Sequence, residues 1–260
     1  MFEIVRYTPD KADEWNQFVA QSKNGTFLFD RGYMDYHSDR FRDYSLMFYA
    51  DGCLLAVLPA HACGDTLCTH RGLTYGGLLM SEKLTIAETM MLFREMNDIL
   101  RAEGFRHVSY KAIPWIYHRL SAEEDLYALY HECKARIVAR DYSTNIFLGA
   151  NLRWERVRRR GIVRAGRAGL RVEISDSYGD FWRVLADNLG TKYGVRTTRN
   201  YSIWPPRRAE SARSSSSRTT RSVESSARCF ICMPRMWATI ICTTTISRRR
   251  TCLSFRVMPF

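Results

Sequence analysis

An abrupt change of composition at Arg196 constrains what this chain can fold into more than any other feature of its sequence. Residues 1–196 have the mixture of apolar, charged and glycine residues that is typical of globular proteins. Residues 197–260 contain twelve Arg, eleven Ser, nine Thr, two Glu and four of the eight Cys, but no Lys, Asp or Gly. The tail therefore carries +10 of the net charge of +12. The first 196 residues are nearly neutral, and they are long enough to bury a core.

The tail is open to two interpretations. A basic, Ser-rich segment is usually a solvated, disordered arm, and a natural arm of this kind would indicate a nucleic-acid-binding protein. Such arms rarely contain the Cys, Phe, Ile and Trp that occur at 229–242. Reading residues 223–243 in a shifted frame yields two apolar, aromatic segments around a short polar turn, which is the pattern of a β-hairpin. We therefore expect residues 197–260 to be out of frame and disordered, with the basic-tailed nucleic-acid-binding protein as the alternative.

Neither a metal site nor a membrane segment is predicted. Cys229 and Cys232 are spaced like half of a zinc knuckle, but no second pair of ligands follows at zinc spacing. The longest apolar run, residues 53–60, is far shorter than the roughly 20 residues of a membrane helix. The start of the chain carries Glu3 and leads into no apolar stretch, so we expect no signal peptide and a cytoplasmic location. The cysteines of the body are then expected to be buried, reduced thiols, at positions 53, 63, 68 and 133.

The body alternates strand and helix patterns. Two strand-like runs, 45–50 and 53–61, are joined by Asp51 and Gly52, a strong hairpin signal. Residues 85–103 have helical apolar spacing and end at Gly104, and a strand pattern follows at 107–112. We expect a helix over 122–133 and strands near 136–139 and 143–148. The pattern predicts an α+β fold built around an antiparallel meander.

Four segments of the body resemble the FemAB-like acyltransferases of the GNAT superfamily. They are HRGLTYGG (70–77), YKAIPWIYH (110–118) with EEDLY (123–127), RRRGIVRAGRAGL (158–170) and FWRVLADNLGTKYGV (181–195). The resemblance implies tandem GNAT-like domains with a mixed, largely antiparallel sheet flanked by helices. We expect the first domain at 1–150, the start of an incomplete second domain at 151–196, and the tail at 197–260.

The resemblance also implies a reaction. Relatives transfer an acyl or aminoacyl group to an amine, and their donor is acyl-CoA or aminoacyl-tRNA. The acceptor would be a small-molecule or cell-envelope precursor amine, nucleic acid would enter only as an aminoacyl-tRNA donor, and no metal would be needed. Because the donor-binding loop of such proteins should lie beyond residue 196, we expect this chain to be inactive. A non-catalytic interaction protein that keeps only the first domain is a third possibility.

Seven residues are candidates for substrate binding, and each also has a purely structural interpretation. Gly76 and Gly77 would let a substrate approach the backbone, or they would serve a turn or bulge. Lys111 would face an anion or be solvated, and His118 would be a general base or a hydrogen-bonded surface residue. The remaining candidates are Tyr75, Lys192 and Tyr193.

The Arg-rich stretch after residue 152 is a candidate anion site. It would bind phosphate in RNA or in a nucleotide-linked precursor, or it would be the solvated face of a helix. The arginines chosen for phosphate binding are Arg158, Arg159, Arg160 and Arg164.

Overall fold

The computed structural model describes residues 1–35, 38–140 and 153–170, together with the backbone of short strands at 215–216, 229–232, 239–242 and 254–256. The chain divides into two compact units, Met1–Ser143 with Arg250–Phe260, and Thr144–Arg249. The predicted domain boundaries at 150 and 196 lie outside the described residues. So do the predicted strand at 143–148 and most of the tail.

The described part of the first unit contains strands and helices in one α+β arrangement, which confirms the predicted fold class. Its strands are β1 (Glu3–Arg6), β2 (Arg42–Asp43), β3 (Leu46–Ala50), β4 (Cys53–Leu58), β5 (His61–Cys63), β6 (Thr66–Cys68), β7 (Leu79–Met80), β8 (His107–Lys111) and β9 (Arg136–Ala139). Its helices are α1 (Ala12–Gln21), α2 (Arg31–Met34), α3 (Ile86–Ala102) and α4 (Glu124–His131).

Two sheets organise this unit. The first has the order β1-β3-β4-β7 with every pair antiparallel. Its central hairpin turns at Asp51 and Gly52, which have φ of 49° and 72°, so the predicted hairpin is confirmed. In the second sheet β5 pairs with β2 and β6, and β6 pairs with β8 in parallel. A strand near the C-terminus, Ser254–Arg256, lies between β8 and β9 and is antiparallel to both.

Both faces of the first sheet are buried, because successive side chains of a strand point to opposite faces. Phe48 of β3 belongs to an apolar cluster with residues of α3 and α4. Its neighbour Met47 belongs to a second cluster around Trp15 and Phe29, the latter in the turn that precedes α2. All four of these side chains are fully buried.

Helix α3 begins with a reciprocal capping box. The Thr85 hydroxyl accepts a hydrogen bond from the Glu88 backbone N–H, and the Glu88 carboxylate accepts one from the Thr85 N–H. The apolar spacing over 85–103 predicts a buried face of Met90, Met91, Phe93, Met96, Ile99 and Leu100. Phe93, Met96 and Leu100 are buried, but Met91 and Ile99 are 38% and 37% exposed. The buried stripe also takes in positions 89, 92 and 97, so it is narrower than the predicted face and rotated relative to it.

The cysteine prediction holds for only half of the body cysteines. Cys68 and Cys133 are buried free thiols, whereas Cys53 and Cys63 are exposed. Both exposed residues sit next to the turns of the β3–β4 and β5–β6 hairpins, where few neighbours can cover a side chain.

The second unit is described only in part. Helix α5 (Arg156–Arg167) lies in the predicted Arg-rich stretch and has no buried residue. The backbone also forms a three-stranded antiparallel sheet from Ser215–Ser216, Cys229–Cys232 and Thr239–Cys242. None of the described helices is long and apolar enough to cross a membrane.

Candidate functional site

The two predicted glycines pack against atoms of their own chain. They lie in the connection between β6 and β7, which runs beside β8. A Cβ on Gly76 would lie 2.2 Å from the carbonyl oxygen of Thr69. Gly77 has φ of +100°, and its Cβ would lie 2.8 Å from the hydroxyl of Tyr110. Gly76 therefore allows two parts of the loop to approach each other, Gly77 allows the loop to approach β8, and a role in substrate binding stays a prediction.

Tyr110 holds this loop to helix α4. Its hydroxyl oxygen accepts a hydrogen bond from the Leu78 backbone N–H at 2.6 Å. The same hydroxyl donates to the Asp125 carboxylate at 2.5 Å, and Asp125 also accepts from the Leu126 N–H at 2.9 Å. Both Tyr110 and Asp125 are buried. Burial raises the pKa of Asp125 to about 6, although the hydrogen bond from Tyr110 acts in the opposite direction.

Lys111 is also engaged with the loop. Its ammonium donates to the carbonyl oxygen of Leu73 at 2.9 Å, and its backbone N–H donates to the Thr69 hydroxyl at 2.8 Å. Its carbonyl oxygen accepts from the Gly76 N–H at 2.9 Å. These contacts tie Lys111 to both ends of the loop. Its predicted contact with an anionic substrate stays a prediction.

The 3-10 turn Trp115–Tyr117 packs on Tyr75 of the same loop and is followed by His118. The Tyr75 ring stacks on the Tyr117 ring at a centroid distance of 5.0 Å. Nε2 of His118 lies 3.2 Å from the Ile113 carbonyl oxygen. A carbonyl only accepts, so Nε2 carries the hydrogen and Nδ1 is the unprotonated nitrogen. Burial lowers the pKa of His118, which keeps the imidazole neutral near pH 7.

An open cleft borders this segment. Its cavity of about 490 Å³ is lined by Ile86, Trp115, Ser121, Ala122, Glu123 and Glu124. Trp115 is 67% exposed, so the indole is free to contact a ligand. Glu124 is fixed by an ion pair with the ammonium of Lys23 at 2.5 Å, and that ammonium also donates to the Leu84 carbonyl at 3.0 Å. The cleft thus combines an exposed aromatic side chain with two carboxylates.

No family model matches this chain, and no curated protein matches it by sequence. Solved structures that it resembles include FemX, with 17% identity and a TM-score of 0.46 over 77% of this chain and 52% of FemX. They also include the PaiA N-acetyltransferase of Thermoplasma acidophilum in complex with coenzyme A, with 12% identity and a TM-score of 0.35 over 54% of this chain and 93% of that one. A GNAT family acetyltransferase of Brucella melitensis in complex with acetyl-CoA has 17% identity and a TM-score of 0.31 over 42% of this chain and 75% of that one.

The chain is similar to FemX and to GNAT acetyltransferases. Similarity at this level concerns the arrangement of helices and strands alone. The chain spans about half the length of FemX.

The structure brings together four of the predicted site residues. Tyr75, Gly76 and Gly77 lie in the loop beside β8 and Lys111 bonds to it, whereas His118 follows Tyr117, whose ring stacks on Tyr75. The four predicted arginines are on α5 in the second unit, and Lys192 and Tyr193 lie outside the described residues. Among the residues that the structure describes, no group of three or more His, Cys, Asp or Glu side chains is placed to hold a metal ion.

Sequence reasoning missed Trp115, Asp125 and the carboxylates of the cleft as site residues. One local signal was present for Asp125, which is buried together with Ala122, Ala128 and Leu129. Those positions recur at helical spacing, so a carboxylate on that stripe indicates a buried acid that needs a partner. Nothing local indicates that the partner is Tyr110, because the two residues are on different elements.

Proposed function

We propose that this chain represents a FemAB-like acyltransferase of the GNAT superfamily, one that transfers an acyl or aminoacyl group to an amine acceptor in the cytoplasm. The observation that carries the proposal is the cleft in which Trp115 stands beside Glu123 and Glu124. A primary amine is protonated at neutral pH. The Glu123 carboxylate attracts the ammonium group, since that of Glu124 is already paired with Lys23, and an exposed indole adds a cation–π contact. The cleft has the chemistry to bind the acceptor as a small-molecule or cell-envelope precursor amine.

The bound ammonium must lose a proton before it can attack a carbonyl carbon. His118 is the candidate for this base, and since its Nδ1 is buried and the residue does not line the cleft, the ring would have to turn toward the acceptor. Burial lowers the pKa of His118, so the imidazole is in the neutral form that accepts a proton. Lys111 and the backbone at Tyr75, Gly76 and Gly77 would then position the acceptor beside β8.

The donor would be acyl-CoA, and aminoacyl-tRNA is the alternative within the same family. A GNAT donor site needs backbone N–H groups at a helix N-terminus that cradle the pyrophosphate. Helix α3 is the longest described helix, and the residues that precede it, 81–85, contain no glycine. The backbone N–H groups at its N-terminus are already capped by Thr85 and Glu88. We therefore assign donor binding to residues beyond 196 in the correct frame, and propose that the 260-residue chain is inactive.

The acceptor cleft is tested by an NMR titration of the full chain with N-α-acetyl-lysine methylamide, which has one free amine. We expect the indole N–H signal of Trp115, assigned with a Trp115→Ala variant, to shift on addition of the amine. The ε-acetylated analogue should leave it in place. Glu123→Gln should weaken binding about two- to fivefold, the usual effect of one exposed charge.

The matched control is Glu82→Gln, since Glu82 is an exposed carboxylate that pairs with Arg119 and does not line the cleft. This variant should bind the amine like the unmodified chain. An unmoved indole signal, or equal effects of the two glutamine variants, would contradict the acceptor cleft. Acetylation of the amine from acetyl-CoA is measured separately, and product formation would contradict only the inactivity.

A further inference from the structure

Four arginines form a stripe along helix α5. Arg156, Arg160, Arg164 and Arg167 recur at intervals of four, four and three residues, so they lie within about 80° of one another around the axis. With Arg159 and Val163 they line a single open cavity of about 610 Å³. Arg158 is two residues from Arg160 and about 160° away from it around the helix. Arg158 therefore does not line this cavity, and its predicted role in phosphate binding stays a prediction.

Within the part of the chain that the structure describes, no carboxylate neutralises the positive charge of the stripe. None of its four guanidinium groups forms an ion pair with a described carboxylate. All four residues are exposed. Like charges spaced three and four residues apart destabilise a helix, so an anion bound along the stripe would stabilise α5.

We propose that the stripe of Arg156, Arg160, Arg164 and Arg167 binds the phosphate backbone of a nucleic acid without reading its sequence. The four residues extend over about 16 Å of helix axis, which is long enough to follow several successive phosphates of one strand. One guanidinium group can donate two parallel hydrogen bonds to two oxygens of a phosphate, which makes Arg better suited than Lys to this contact. The helix itself carries no aromatic side chain on which a base could stack.

The distribution of apolar residues favours a nucleic acid over an anionic membrane. Val157, Ile162 and Val163 are all more than half exposed. Relative to Arg156 they lie at about 100°, 240° and 340° around the helix, so they form no common face. A helix that binds in a membrane surface needs one apolar face to bury. On α5 the four arginines of the stripe share one face, whereas the apolar residues do not.

The test measures binding of a fluorescein-labelled 15-nucleotide oligo(U) and oligo(dT) to the full chain by anisotropy at several salt concentrations. In the stripe variant, all four arginines are changed to Gln, which has a similar helix propensity. The control variant removes the same charge from the tail, with Gln at positions 207, 208, 248 and 249 in place of Arg. Far-UV circular dichroism checks that each variant is folded, and the single change Arg160→Gln provides a milder version.

We expect the stripe variant to lose about tenfold or more in affinity for both oligonucleotides. The slope of log affinity against log salt should fall by about 3, and by about 0.7 for Arg160→Gln. The control variant should keep the slope of the unmodified chain. Equal losses in the two variants, or binding to only one oligonucleotide, would overturn the proposal. So would unchanged oligonucleotide binding together with loss of binding to phosphatidylserine vesicles.

Discussion

At the scale of single residues, Asp125 and His61 make the stability of the first unit depend on pH in opposite directions. Burial raises the pKa of Asp125 from 3.8 to about 6, so folding favours its protonated form. Burial and the nearby Arg71 lower the pKa of His61 from 6.5 to about 4, so folding favours its neutral form. The stabilisation from Asp125 is present below pH 4 and is lost as the pH rises through 6. That from His61 is present above pH 6.5 and is lost as the pH falls through 4.

The contribution of Asp125 can be isolated with Asp125→Asn, which keeps an oxygen to accept from Tyr110 but cannot ionise. The unmodified chain should lose about 3 kcal/mol of stability relative to this variant as the pH rises from about 3 to about 7. Urea denaturation at half-unit pH steps measures the difference, and subtraction removes the effect of His61. A difference that is constant with pH would show that Asp125 is not the buried acid described here.

At the scale of elements, the contact between the β6–β7 loop and β8 determines where the candidate site residues lie. Gly77 and Tyr110 are in direct contact, and the hydroxyl of Tyr110 continues the contact to α4 through Asp125. The loop also bonds to β8 through Gly76 and Lys111. A side chain at Gly77 would push the loop away from the strand, whereas one at Gly76 would clash with Thr69 within the loop.

We predict that Gly77→Ala costs about 2–5 kcal/mol, the sum of the strain of a positive φ and of a buried clash with Tyr110. Gly64→Ala is the matched control, because Gly64 also has a positive φ, of +61°, but its Cβ would meet nothing within 4 Å. The control should cost only about 1–2 kcal/mol. Thermal or urea unfolding measures both, and equal costs would show that the loop does not press on Tyr110.

At the scale of the whole molecule, charge and fold are distributed unequally along the chain. The apolar clusters described here belong to the first unit, whereas the net positive charge is concentrated in residues 197–260 and on α5. If the tail is out of frame, the apolar clusters of the first unit and the charge of the tail have different origins. In that case the tail has the composition of a misread gene and the body has that of a selected protein.

This hypothesis predicts what the coding DNA contains. Sequencing from the codon for Asn188 to well beyond the stop, with translation of all three frames, should reveal an open frame. That frame should encode two apolar segments separated by a short polar turn in place of residues 223–243. Stop codons that interrupt both other frames soon after Asn188 would make the basic tail genuine and favour the nucleic-acid-binding alternative.

The sequence by itself determined the features that depend on neighbouring residues. The turn at Asp51 and Gly52 and the strands on either side were predictable from turn chemistry and strand periodicity. So was helix α3, because helical spacing and the closing Gly104 lie within one short segment. The concentration of charge in residues 197–260 follows from composition alone.

Only the tertiary structure decided which distant residues meet. Lys23 pairs with Glu124 across 101 positions of sequence, and Tyr110 bonds to Asp125 from a different element. Gly76 packs on Thr69, and Gly77 packs on Tyr110 of another element. Such contacts form when closing the core brings buried polar groups together. Each group then needs a partner in place of water, and local sequence carries no record of which partner that is.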